Sequence, residues 1–165
     1  MTAYGLVPFQ LTNPPQKCYE ALKPWLDDFR LDEGKDLKVG LAGFCYGGYA
    51  ATKLAQGELA SNGKTFIDAA FTAHPSFLQV PSDIEKIKLP YSLCVGDADF
   101  ALPKKEVDKI VVAFDNLKHV RSEVVVIPGA KHGFALRYDQ NDKAEQARAD
   151  KAEDQVVEWF AKYLQ

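Results

Sequence analysis

Three residues of this 165-residue sequence have the types, and the order along the chain, that acyl transfer needs: Cys45, then Asp99, then His132. Cys45 sits in Gly43-Phe44-Cys45-Tyr46-Gly47, a G-x-C-x-G pattern where an apolar run passes into an Ala-rich one. In a nucleophile elbow the reactive residue occupies a strained strand-to-helix turn, and the positions two before and two after it must be very small. Gly43 and Gly47 meet that demand. Such a turn lifts Cys45 to a helix N-terminus, where the backbone N–H of Tyr46 can donate to an oxyanion and the helix dipole favours a thiolate. By itself the pattern fits a buried structural cysteine equally well. Gly-rich turns also cradle phosphates, but neither G-x-G-x-x-G nor a G-K-[ST] ending is present.

A thiol nucleophile needs a base, and the base needs a group to orient it. Gly96-Asp97-Ala98-Asp99-Phe100-Ala101-Leu102-Pro103 supplies two carboxylates ahead of a helical pattern, and Pro128-Gly129-Ala130-Lys131-His132-Gly133-Phe134 supplies a histidine. Each has a plainer alternative: one aspartate as a helix cap, His132 as a solvated loop residue. His74, in Ala73-His74-Pro75, either lines the same crevice or lies in an ordinary loop. Cys94 falls within an apolar run and Cys18 on a helical face, so both read as packing.

The elements that must position these groups alternate. Four short runs rich in branched or aromatic residues, Leu37 to Ala42, Phe66 to Ala73, Tyr91 to Val95 and Val124 to Ile127, read as strands apolar on both faces. Between and beyond them lie helical patterns. Pro103 to Lys118 repeats Val107, Ile110, Val111 and Phe114 at helical spacing, and Lys143 to Leu164 carries Val156, Phe160 and Leu164 on one stripe. An earlier helix from about Gln16 to Phe29 contains Pro24, which predicts a kink or restart. Strand, helix, strand, helix predicts an α/β fold: a mainly parallel sheet of about four strands flanked by helices, with right-handed crossovers. Carboxyl ends of parallel strands face one crevice, so the three loops can converge there.

Composition bounds the rest. A chain of this length predicts one domain, residues 1–165, that hides roughly 69% of its unfolded surface. With 47% hydrophobic and 26% charged residues, general disorder is excluded. Lys and Arg number 20 against 23 Asp and Glu, so there is no basic field to gather phosphate backbones, and nucleic acid is not an expected partner. Three scattered cysteines without a C-x-x-C pair fit neither a disulfide framework nor a thiolate metal site. No basic, apolar leader opens the sequence and no stretch of 18 apolar residues occurs, which leads to the expectation of a cytoplasmic protein with no membrane partner.

Jointly, Gly43-Phe44-Cys45-Tyr46-Gly47-Gly48, Ala73-His74-Pro75, the G-x-x-D-x-x-x-P pattern from Gly96 to Pro103 and His132-Gly133-Phe134 resemble the dienelactone hydrolase family of the α/β-hydrolase superfamily, most closely its fungal members. The resemblance runs from about Leu37 to Leu164. It implies Cys45 as nucleophile, Asp99 as the triad acid because it holds the D-x-x-x-P position, and His132 as base, with Asp97 a helper. It also implies that the Tyr46 N–H is an oxyanion donor and that Arg137 meets a substrate carboxylate. The implied reaction is hydrolysis of a small-molecule ester or lactone through a thioester, with no metal and no organic cofactor.

The sequence departs from the family pattern upstream. Only 44 residues precede Cys45, room for a helix but not for the several strands and the oxyanion loop that normally come first. The expectation is an N-terminally shortened domain, a partial α/β-hydrolase fold whose first strand is an exposed edge. Three outcomes follow: weak or absent activity, as a remnant acting as a binding module; a homodimer that pairs through that edge; or a product of a longer gene. A hydrolase of a secondary-metabolite pathway is the alternative within the enzyme class.

Overall fold

The apolar runs become four strands in a computed structural model of the chain, which describes residue 9 and residues 11–165. They are β1 Gly40–Phe44, β2 Ala69–Ala73, β3 Tyr91–Gly96 and β4 Ser122–Ile127. All neighbouring pairs are parallel and the spatial order is β1-β2-β3-β4. Each crossover therefore returns to the adjacent position, and the carboxyl ends of the strands lie along one rim.

Burial follows position in the sheet. Every residue of β2 and β3 is buried, whereas Val125 and Val126 of β4 are 37% and 36% exposed and Ala42 of β1 is exposed. The expectation of strands apolar on both faces thus holds for the central pair and fails for the two edges, which lack a neighbour on one side among the described residues. β1 also begins three residues later than the apolar run predicts. The Val39 N–H is taken by the Asp68 carboxylate at 2.8 Å, and Lys38 and Leu37 before it stay exposed.

The helices are α1 Pro15–Leu31, α2 Gly47–Leu54, α3 Ser82–Glu85, α4 Lys104–Asn116 and α5 Lys143–Tyr163. α1 continues through Pro24 rather than restarting there. Pro24 lies on the exposed side, while Tyr19 and Leu26, one in each half of the helix, are buried in the same apolar layer as Leu54 of α2. At its end, buried Arg30 binds the carbonyls of Phe66 at 3.0 Å and Leu37 at 3.0 Å and pairs with Asp68 at 2.6 Å. One guanidinium thereby ties α1 to the segments entering β1 and β2.

Two apolar layers flank the sheet. On one face Leu54, Ile84, Leu93, Val95, Val107 and Ile110 pack together under α1, α2 and α4. On the other, Phe71, Ala73, Cys94, Ile127 and Phe134 meet Ala152 and Trp159 of α5. The stripe that α5 buries is Ala149, Ala152, Gln155 and Trp159, one step round from the expected Val156, Phe160 and Leu164. The small residues let the helix approach closely, and Gln155 is accommodated because its amide donates to Ser92 Oγ at 2.8 Å. Phe160 and Leu164 instead cover Gly40, where a Cβ would lie 2.6 Å from Leu164. Among the described residues no helix is long and apolar enough to cross a membrane.

Candidate active site

β1 runs straight into α2, and Cys45 occupies the joint. Its φ of 52° is left-handed, a conformation that costs a non-glycine residue on the order of 1–3 kcal/mol. Backbone bonds impose it. The Cys45 N–H donates to Ala73 O at 3.2 Å, and the Cys45 carbonyl accepts from Gly48 at 3.1 Å and Ser76 at 2.9 Å. Gly43 is sterically required, since a Cβ there would sit 2.5 Å from the Gly47 carbonyl oxygen. The expected demand at Gly47 is not met: a Cβ there touches nothing within 4 Å. The second tight position is Gly48, whose Cβ would fall 2.5 Å from Pro75.

The acid and base loops follow β3 and β4 and are fastened to one another. Gly96 passes so close to the next loop that a Cβ would lie 2.0 Å from the Ala130 oxygen. The Gly129 N–H donates to Asp97 Oδ1 at 2.6 Å, and Ala98 N–H donates to Ala130 O at 3.2 Å. Neither aspartate caps α4, whose N-cap is Pro103 without a side-chain bond. Asp97 staples the loops, and Asp99, 3% exposed, turns inward after accepting the Ala101 N–H at 2.7 Å.

These constraints bring three distant side chains into one line. Cys45 Sγ lies 3.0 Å from His132 Nε2, and His132 Nδ1 lies 2.9 and 3.0 Å from the two oxygens of Asp99. With a carboxylate facing Nδ1, the proton of neutral His132 belongs on Nδ1 and Nε2 is free to accept from the thiol. Burial alone would push the Cys45 thiol up, but the hydrogen bond and charge of His132, with help from Ser76 and the Tyr46 N–H, outweigh it and hold the thiol below its ordinary value. Burial likewise disfavours protonated His132, and the Asp99 carboxylate and Cys45 reverse that, raising it. The two opposed shifts favour a thiolate–imidazolium pair. Cys94 is unlike Cys45: burial raises its thiol to about 12.

His74, for which the sequence leaves crevice wall and ordinary loop open, is buried behind the His132 ring. It is 1% exposed, its ring meets the His132 ring edge-on at 5.3 Å, and burial, followed by the charge of His132, lowers it to about 4. Both ring nitrogens lack a hydrogen-bond partner. Arg137 is exposed, and with Lys131, Arg148 and His132 it borders a cavity of about 100 Å³. Tyr46 places its backbone N–H at the sulfur, while its ring meets Phe77 at 5.9 Å and its hydroxyl donates to Cys18 Sγ at 3.2 Å.

Three residues at the site escape sequence reasoning. Phe100 is 81% exposed with its ring 4.9 Å from that of His132, and Phe77 is 44% exposed. Ser76 is buried, with Oγ 3.8 Å from Cys45 Sγ and 3.5 Å from His132 Nε2. Ser76 and Phe77 follow Ala73-His74-Pro75 directly, but no spacing rule distinguishes them from loop residues. Among the described residues no group of three or more His, Cys, Asp or Glu is arranged to hold a metal ion.

Comparison with known proteins agrees with this architecture. The model of the dienelactone hydrolase family matches residues 15–164. The hydrolase pyvD of Aspergillus violaceofuscus is 30% identical over 131 residues, which is 77% of this chain and 48% of that protein. A human carboxymethylenebutenolidase homolog is 25% identical over 128 residues, 77% of this chain and 49% of its own. The crystal structure of a dienelactone hydrolase from Anabaena variabilis shares the fold with a TM-score of 0.64 and 23% identity, covering 100% of this chain and 70% of that one. The chain spans about half the length of the curated relatives it matches.

Proposed function

The chain belongs to the dienelactone hydrolase family, and from that premise we propose that it hydrolyses a small carboxylic ester or lactone through a thioester on Cys45. One observation carries the reading: the unbroken line of contacts from sulfur to imidazole to buried carboxylate, with a 3.0 Å first step. His132 takes the Cys45 proton on Nε2, and the thiolate attacks the carbonyl carbon. The Tyr46 N–H, at the start of α2, donates to the oxygen that becomes negative. As the C–O bond breaks, His132 returns its proton to the leaving alkoxide. Water then attacks the thioester with His132 as base, and the acid leaves as Cys45 is regenerated.

Asp99 orients the ring and balances the imidazolium throughout. Arg137 sits at the border of the cavity beside His132, where it can meet a carboxylate carried by the substrate. Exposed Phe77 and Phe100 present aromatic surface to flat or unsaturated acyl groups. The scheme uses this chain as one folded unit and calls on no metal or organic cofactor.

The test is trapping. Mass spectrometry after mixing with a slowly hydrolysed aryl ester should find the acyl group on Cys45, and C45A should show neither adduct nor turnover. Iodoacetamide should label Cys45 much faster than Cys94. Equal labelling rates together with no turnover would instead favour a catalytically inert chain.

A further inference from the structure

The Ser76 hydroxyl has no part in the scheme above, yet the fold goes to some length to place it. It lies in His74-Pro75-Ser76-Phe77, directly after β2, and is 8% exposed. Two residues of that segment are left-handed, His74 with φ 40° and Phe77 with φ 66°. The His74 N–H is fixed to Cys94 O at 2.9 Å, and Pro75 presses on Gly48, where no Cβ fits. The Ser76 N–H donates to the Cys45 carbonyl at 2.9 Å. Ser76 is therefore tied by its backbone to the residue whose sulfur its side chain faces, and its Oγ reaches both atoms between which the proton moves, Sγ at 3.8 Å and His132 Nε2 at 3.5 Å.

We propose that Ser76 is a further catalytic residue, whose hydroxyl donates to the Cys45 sulfur when that sulfur is anionic and so holds the thiolate–imidazolium pair ready for attack. The proposal rests on the reading of Cys45 as nucleophile and His132 as base. While Cys45 is protonated, its S–H donates to Nε2, and a neutral sulfur is a weak acceptor. Moving that proton breaks S–H, forms Nε2–H and leaves the sulfur charged, with three donors around it: His132 Nε2–H, the Tyr46 N–H and the Ser76 O–H. A charged acceptor strengthens each bond, so the hydroxyl favours the ionised pair over the neutral one. After acylation the sulfur is neutral again and the hydroxyl lets go. It acts once more when the thiolate departs from the thioester. The direction agrees with the lowered Cys45 thiol, to which Ser76 contributes.

The experiment is the pH dependence of Cys45 alkylation by iodoacetamide, read at each cysteine by peptide mass spectrometry, on the full chain and its S76A, S76G and S76T variants. Loss of the hydroxyl in S76A or S76G should raise the midpoint by about 0.5–1 unit. The more basic thiolate is also the better nucleophile, so the plateau rate above the midpoint should rise by about 1.5- to 3-fold. S76T, which keeps the hydroxyl, should return the midpoint toward that of the wild type. A role confined to packing would lower the plateau and leave the midpoint alone. A midpoint unchanged in both hydroxyl-free variants, with Cys45 still labelled far faster than Cys94, overturns the Ser76 assignment alone. If wild-type Cys45 labels no faster than Cys94, the reading of Cys45 as nucleophile fails first, and Ser76 with it.

Discussion

Replacing Asp99 with asparagine tests the proposed triad at its least accessible member, and the surroundings of Asp99 determine how the amide would settle. Oδ1 accepts the Ala101 N–H at 2.7 Å, so the asparagine oxygen is drawn to that place. The amide NH₂ then takes the position of Oδ2, 3.0 Å from His132 Nδ1. A donor at that point competes with Oδ1, which is 2.9 Å from Nδ1 and already engaged by Ala101, and shifts the His132 proton toward Nε2, where the ring can no longer accept from Cys45. The Asp99 side chain is fully enclosed, so water cannot substitute for it. The corresponding exchange in serine-protease triads lowers turnover by about 10⁴-fold. A thiol is already a few per cent ionised near neutral pH, which cushions the loss by roughly tenfold. The expectation for D99N is thus a fall of about 10³-fold in kcat near neutral pH, or ~4 kcal/mol of barrier, recovering as pH rises and the thiol ionises without help. Hydrolysis of an aryl acetate across the pH range, with circular dichroism to show an intact fold, is the assay. A loss smaller than about tenfold in folded D99N, with C45A inactive, would refute the assigned role of Asp99.

Other expectations follow from the same geometry. His74 is buried and neutral, its value lowered from 6.5 to about 4, so the unfolded chain binds a proton that the folded chain refuses between those limits. Its contribution is complete above pH 6.5 and lost on acidification, by up to ~3 kcal/mol at about pH 4, and H74F should flatten that part of a urea-denaturation profile. G43A drives a Cβ into the Gly47 backbone and should abolish selective Cys45 labelling, whereas G47A, with open space at the same point, should change unfolding free energy by less than about 1 kcal/mol. R30A removes the ion pair from Asp68, which keeps the Val39 N–H and Lys38, and leaves two strand-entry carbonyls without their donor, and should cost about 2–4 kcal/mol in denaturant titration.

Much of the architecture is legible in the residues because it depends on local chemistry. Alternating apolar runs and amphipathic stripes specify strands and helices, and the G-x-C-x-G turn marks where β1 must bend sharply into α2. The order of cysteine, acid and histidine is legible for the same reason, since each stands just past a strand and parallel strands end on one rim. Contacts between segments are another matter. Gly48 rather than Gly47 is the second crowded glycine because Pro75, more than two dozen residues later, packs against it. Asp97 and Asp99 are alike in sequence, and only the closeness of Gly96 to Ala130 sends one to the Gly129 backbone and the other to His132. His74 reads as either a crevice-lining or an ordinary loop residue and is found buried against the His132 ring, and Ser76 reads as nothing in particular and is found against the sulfur. Sequence alone indicated the four strands, the longer helices and the rim on which the loops end. Tertiary packing decided which atom of each loop faces the cysteine, because that depends on tenths of an ångström between segments remote along the chain.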